Sequence, residues 1–187
     1  MLGLWLFGTG EALIVAAALG ATPWTVLAQG VATHGPGGVG IATVLISLVV
    51  LAAWIPLRQR PGLGTVANAV LVGLWIAVML PLLPEDPGAV ARAALLVGGI
   101  ALVAVGSGFY LTAALGPGPR DGLMTGLHRR TGRSLRLVRT VIEGSALVAG
   151  VVLGGTAGIG TVAFAAAIGP GVQWAVGRLR PAAPGAS

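Results

Sequence analysis

The sequence predicts an all-α fold, an integral membrane helical bundle, on three observations. The chain of 187 residues is 56% hydrophobic and only 9% charged, with a mean hydropathy of +0.95, whereas a soluble domain carries about a quarter charged residues. Residues 12–57, 61–84, 93–119 and 144–177 contain no Asp, Glu, Lys or Arg. A bilayer-crossing helix needs about 20 mostly apolar residues, and in lipid the backbone must satisfy its own hydrogen bonds. Third, the chain repeats itself. Gly62-Leu-Gly-Thr-Val-Ala67 returns as Gly158-Ile-Gly-Thr-Val-Ala163, 96 residues later, and the same offset relates Gly10 to Gly106, Gly20 to Gly116, Pro23 to Pro119, Gly30 to Gly126 and Gly73 to Gly169.

The expected organisation is a single membrane domain of two copies, repeat one over 1–84 and repeat two over 89–180, with 181–187 as a disordered tail. Each copy holds three long apolar segments, at 2–20, 38–57 and 63–83 and then at 89–115, 135–154 and 158–177. The first is read as a retained span, because Glu11 interrupts it and no basic residue precedes it, unlike a signal peptide. Each copy also holds one short segment, 24–34 or 120–130. Eleven residues of helix reach about 16 Å, roughly half the hydrocarbon core, so these are half-helices that re-enter the membrane or lie at its surface. Three spans per copy is odd, so tandem copies are inverted relative to each other, giving six transmembrane helices plus two half-helices.

The arginines orient this arrangement. All 11 basic residues are Arg. With both termini in the cytoplasm, Arg58, Arg60, Arg120, Arg129, Arg130, Arg133, Arg136, Arg178 and Arg180 fall inside, as the positive-inside rule requires, while Glu85 and Asp86 fall outside. Arg92 lies near the outer side and Arg139 within a span. The expected location is a bacterial plasma membrane, multi-pass, with N- and C-termini cytoplasmic.

Charge inside such a bundle is costly and marks candidate sites. Glu11 sits about 13 Å into the first span at helical rise and suits a proton or cation site, or a hydrogen bond to a neighbouring helix. Arg139 and Glu143 are one turn apart and can share a face, as a gated ion pair, a substrate anchor or a structural clamp. Gly116-Pro-Gly-Pro-Arg-Asp-Gly-Leu-Met124 opens the second half-helix, where free N–H groups and Arg120 suit an anion and Asp121 suits an N-cap. Gln29, Asn68 and Gln173 are polar residues in apolar surroundings, expected as helix–helix contacts more than as pocket groups. Trp5, Trp24, Trp54, Trp75 and Trp174 read by default as interfacial belts, and Gly150, Gly154 and Gly158 have the spacing of a close helix contact.

Other classes of function are poorly supplied. The net charge of +6 resides in short loops and reads as topology, so no nucleic-acid partner is expected. There is no Cys, and two His and five carboxylates leave little for a metal site. No nucleophile–base set appears, so neither an enzyme nor a cofactor is expected.

Gly118-Pro-Arg-Asp-Gly-Leu-Met124, Arg130-Thr-Gly132, Val138-Arg-Thr-Val-Ile-Glu143 and Gly158-Ile-Gly-Thr161, with Pro23-Trp-Thr-Val-Leu-Ala-Gln-Gly30 in the first copy, resemble the YczE/YyaS/YitT family of bacterial membrane proteins. The resemblance covers nearly the whole chain and implies a multi-pass plasma membrane protein without implying an activity. No counterpart of the soluble C-terminal domain of the YitT-like branch is present, so the resemblance is to the YczE-like branch.

The functional expectation is a small-solute secondary transporter or permease, with Glu11, Arg120, Asp121, Arg139 and Glu143 around a site between the repeats. Its partners are the lipid bilayer and a small molecule or ion as cargo, and six spans also allow a homodimer. The alternative is a non-transporting accessory or regulatory protein that docks an acidic partner or anionic lipid through the basic cytoplasmic loop 120–139.

Overall fold

The computed structural model describes residues 1–179; Arg180 and the expected tail 181–187 lie outside the described residues. The described residues form eight α-helices and no strand: α1 Leu2–Ala17, α2 Pro23–Ala32, α3 Gly38–Ala52, α4 Leu63–Met79, α5 Ala89–Thr112, α6 Pro119–Thr131, α7 Leu135–Val152 and α8 Ile159–Leu179, with a 3-10 turn Leu80–Leu82 after α4. Three are long and apolar enough to cross a membrane: α4 with its 3-10 turn, α5 and α8. α1 and α3 are apolar but shorter, at 16 and 15 residues, and α7 has 18 residues with Arg136, Arg139 and Glu143 among them.

Local chemistry sets the boundaries. The short helices α2 and α6 both begin with Pro at the first position, where a missing N–H costs nothing and φ is already helical. Thr22 caps α2 by accepting from the Thr25 N–H at 3.3 Å, and Ser134 caps α7 by accepting from the Leu137 N–H at 3.3 Å. The N-cap of α6 is Gly118, which corrects the expectation for Asp121: that residue lies three positions inside. α7 ends at Val152 and Gly154 lies beyond it with φ +96°, so the close helix contact expected of Gly150, Gly154 and Gly158 is made within α7 by Gly150, against the α2 backbone at Leu27. The chain reverses there, and Gly150 alone of the three lies in α7.

The pivot of the bundle is the antiparallel pair α1 and α5. A methyl group at Gly10 would meet the Gly99 carbonyl oxygen at 2.7 Å, and one at Gly3 would meet the Gly106 oxygen at 2.8 Å. Gly3 and Gly99 are 96 residues apart, as are Gly10 and Gly106, so each glycine packs on the repeat partner of the other. The same reciprocity holds at the loops. The Gly64 N–H donates to Leu115 O at 2.9 Å, and the Gly160 N–H donates to Leu19 O at 2.7 Å. Gly20 packs on Gly158 and Thr161, and Gly116 on Gly62 and Thr65. Contacts at an offset of 96 residues are thus exchanged between the two halves of the chain.

Around this pivot α1 also packs on α4, α5 on α8, α2 on α7 and α3, and α3 on α4, while α6 touches α3, α4 and α7 more sparsely. One pair breaks the reciprocity. α3 and α4 interlock where Gly40 and Gly73 each lie against the other's carbonyl oxygen, at 2.5 Å from a built methyl group. The equivalent positions in the second copy are Arg136 and Gly169, and Gly169 faces nothing within 4 Å. Arginine replaces the glycine that closes the seam, and α7 and α8 stand apart.

Two tryptophans also depart from the expected belt. Trp54 is 2% exposed, covers Gly122 and donates its indole N–H to Pro119 O at 2.9 Å. Trp24 is buried in a cluster with Val50, Met124, Val138 and Ala146. Trp5 and Trp75 meet edge to face, and Trp174 is exposed.

Candidate functional site

Glu11 is 2% exposed, the most enclosed charged residue described. Its Oε2 accepts from the Thr25 hydroxyl at 2.6 Å, with the Thr22 hydroxyl at 3.5 Å. Thr22 is the N-cap of α2 and Thr25 lies one turn inside it, so the carboxylate sits at the positive end of a half-helix. Charge-assisted bonds of this kind contribute about 1.5–3 kcal/mol each, and the helix end adds to them. These two threonines escaped the sequence reading. The signal was present in Thr22-Pro-Trp-Thr25, a capping residue followed by Pro at the first helical position.

The start of the second half-helix comes to the same place. The Arg120 guanidinium lies over the Trp24 ring, 5.0 Å from its centroid. Trp24 and Arg120 are themselves 96 residues apart and occupy the same position in α2 and α6. The two half-helix N-termini therefore meet through equivalent side chains, one aromatic and one cationic, a contact worth about 0.5–2 kcal/mol. The Trp24 indole N–H is buried without a hydrogen-bond partner. Arg120 lies within electrostatic reach of Glu11, Asp121 and Glu143, and Asp121 within reach of Arg139, Arg120 and Glu143. Arg120 makes no ion pair within 4.0 Å among the described residues, so its charge is shared among several carboxylates.

Arg139 and Glu143 form the pair expected on α7, Nε to Oε1 at 3.0 Å, with side chains 59% and 33% exposed. They border the side on which α7 and α8 stand apart. Asp121 is exposed at the first turn of α6. Tyr110 of α5 lies near it and donates its hydroxyl to Gly116 O at 2.8 Å. All five charged candidates thus gather at one place, graded from sealed Glu11 to half-open Arg120 to exposed Arg139.

The polar candidates do not gather there. Gln29 accepts from the Thr156 N–H at 3.1 Å and ties α2 to the loop before α8. Asn68 is half-buried on α4 and Gln173 exposed on α8; neither side chain makes a hydrogen bond among the described residues.

Residues 1–176 match the model of a family of unknown function, DUF6198. The chain is 41% identical over 174 residues to an uncharacterized protein of Haemophilus influenzae, covering 93% of this chain and 80% of that protein. It is 33% identical over 165 residues to the uncharacterized membrane protein YczE of Bacillus subtilis, covering 86% of this chain and 75% of that one. No solved structure matches it significantly. With a bundle of apolar helices and these relatives, the chain belongs to the DUF6198 family of YczE-like membrane proteins.

Proposed function

We propose that the chain is a small-solute secondary transporter of the bacterial plasma membrane, built as two inverted three-span repeats with both termini in the cytoplasm, and not an enzyme. The observation that carries this reading is the meeting of the two half-helix N-termini, Trp24 against Arg120, beside the sealed carboxylate of Glu11. Transporters made of inverted repeats place substrate and coupling-ion sites between the repeats, at the ends of discontinuous helices. A carboxylate near the bilayer centre costs about 2.5–3.5 kcal/mol, so its retention speaks for a task.

Six spans require α1, α3 and α7 to cross along with α4, α5 and α8. Support comes from the reciprocal contacts at an offset of 96 residues, which relate α1, α3 and α4 to α5, α7 and α8. The orientation is supported by Arg58, Arg129 and Arg130, which line one cleft and so share one side of the protein. The α3–α4 seam is closed and the α7–α8 side is open, so access to the site is proposed from the α7–α8 side. Glu11 and Glu143 are the candidate proton-coupling groups.

The experiment is solute flux in liposomes holding the purified protein, screened by solute class. Glu11→Gln and Glu143→Gln are expected to cut flux at least tenfold with the fold intact. Full flux in both variants would sink the transport site. The second reading, an accessory protein docking through residues 120–139, is favoured by the exposure of Arg129, Arg130, Arg133 and Arg136. It gains if substitutions at Arg129 and Arg130 abolish function while both Gln variants retain it.

A further inference from the structure

The clearest built site outside the charged centre is a cleft of about 480 Å³ where the end of α3 meets the end of α6, lined by Pro56, Leu57, Arg58, Gln59, Gly126, Arg129 and Arg130. No acidic side chain lines it. Arg130 is anchored by donating to Pro56 O, while Arg58 and Arg129 are exposed and make no side-chain hydrogen bond or ion pair among the described residues. Three guanidinium groups thus surround one cavity with two of them unengaged.

The repeat supplies an internal control. Residues 54–59 and 150–155 share one backbone design. The Arg58 N–H donates to Ile55 O at 3.0 Å and the Gln59 N–H to Trp54 O at 3.2 Å; their counterparts are Gly154 to Val151 O at 2.9 Å and Gly155 to Gly150 O at 2.8 Å. Both turns need a residue in the left-handed region. Gly154 meets that need at φ +96°, whereas Arg58 meets it at φ +52°, a conformation that L side chains resist. Arg129 and Arg130 correspond to Thr33 and His34. One end of the protein therefore bears three arginines, one in an unfavourable conformation, where the same architecture at the other end bears Gly, Thr and His. Positive-inside topology explains the sign of these charges. It does not explain their convergence on a cavity.

Beside the cleft, α3 exposes an apolar stripe of Ile41, Leu45, Leu48, Val49 and Ala52, continued by Ile55 in the turn that leads to Pro56 on the rim. From Ile41 to Ala52 it runs about 17 Å at helical rise, roughly half of a hydrocarbon core of about 30 Å. An apolar track of one leaflet's depth leading to a basic cavity has the shape of an amphiphile.

We propose that this cleft binds the headgroup phosphate of an anionic phospholipid, with Arg58, Arg129 and Arg130 as its ligands and an acyl chain along the α3 stripe. Guanidinium forks match phosphate oxygens in pairs, and basic pockets beside membrane helices take such headgroups. The stripe selects lipid over free phosphate. The site does not depend on the transport reading and holds if that fails.

The test uses the full chain in nanodiscs of phosphatidylcholine with a minor fraction of phosphatidylglycerol. Lipid retained by the protein is read by native mass spectrometry. Wild type is expected to enrich phosphatidylglycerol at least tenfold over its bulk fraction. The triple variant R58K/R129K/R130K keeps the topogenic charge and removes the forks, and its enrichment is expected to fall at least fivefold. Arg129→Gln/Arg130→Gln is expected to abolish enrichment with an unchanged unfolding temperature. No enrichment in wild type, or equal enrichment in all three proteins, overturns the proposal. So does displacement of the lipid by millimolar inorganic phosphate, which would assign the cleft to the free anion. Binding of a polyglutamate peptide without lipid enrichment would assign it to an acidic protein partner and equally overturn it.

Discussion

The two halves of the chain share a scaffold and differ in what they hang on it. In the first, α3 and α4 close through Gly40 and Gly73, each against the other's carbonyl oxygen. In the second, Arg136 takes the place of Gly40, Gly169 faces open space, and α7 packs on α2 while carrying exposed charge where α3 meets α4 in the first. The half-helices differ in the same way. α2 presents Thr22 and Thr25 to the carboxylate of Glu11 on α1, whereas α6 carries its own charges, Arg120 and Asp121. The lesson is local: the α1–α5 crossing and its flanking loops keep glycine at equivalent positions in both halves, whereas the α3–α4 seam loses Gly40 to Arg136 in the other half. One half became a closed wall and the other an opening lined with charge.

The largest expected effect tests the seams directly. Gly73→Leu forces a side chain into the Gly40 backbone and is expected to destabilise the protein by about 3 kcal/mol or prevent its accumulation in the membrane. Gly169→Leu, its counterpart, is expected to change stability by less than about 0.5 kcal/mol. Thermal unfolding in detergent of both variants reads the difference, and equal destabilisation would mean that the second seam is closed as well.

Next is the buried carboxylate. Glu11→Gln keeps the shape and part of the hydrogen bonding to Thr25, so the fold is expected to survive while flux falls at least tenfold. Thr25→Val removes the hydroxyl that bonds Glu11 at 2.6 Å and is expected to cost about 1.5–3 kcal/mol, the range for hydrogen bonds to charged groups, read as a lowered unfolding temperature. A third comparison concerns the contact of equivalents, Trp24 with Arg120. A double-mutant cycle with Trp24→Leu and Arg120→Gln is expected to return a coupling of about 1 kcal/mol. Zero coupling would mean that the half-helix ends meet without energetic consequence. The smallest effect compares the two left-handed turns. Gly154→Ala is expected to lower stability by about 1 kcal/mol and Arg58→Gly to raise it by a similar amount or less, both visible as shifts in unfolding temperature of opposite sign.

Much of this protein was legible before any coordinates. Helix starts were set by Pro23 and Pro119, because proline fixes φ and lacks a donor. The helical class followed from uncharged stretches that only internal backbone hydrogen bonds can satisfy in lipid. The Arg139–Glu143 pair followed from spacing alone. Belt and core tryptophans were not separable, because Trp54 and Trp24 are apolar residues near segment ends whose burial depends on what crosses them. The end of α7 was legible to within two residues, the expected segment closing at 154 and the helix at Val152, but the contact of Gly150 with the α2 backbone at Leu27 depends on how the helices pack.

The sequence by itself determined the all-helical class, the short helices between the apolar ones and which residues carry charge, since these depend on composition, local conformational preference and internal repetition. The tertiary structure alone decided which charges meet. Glu11 and Arg120 lie 109 residues apart in the chain, and nothing local relates them. They share a site because α1 crosses α5 at glycines that let the backbones touch, and that crossing brings the two half-helix ends together.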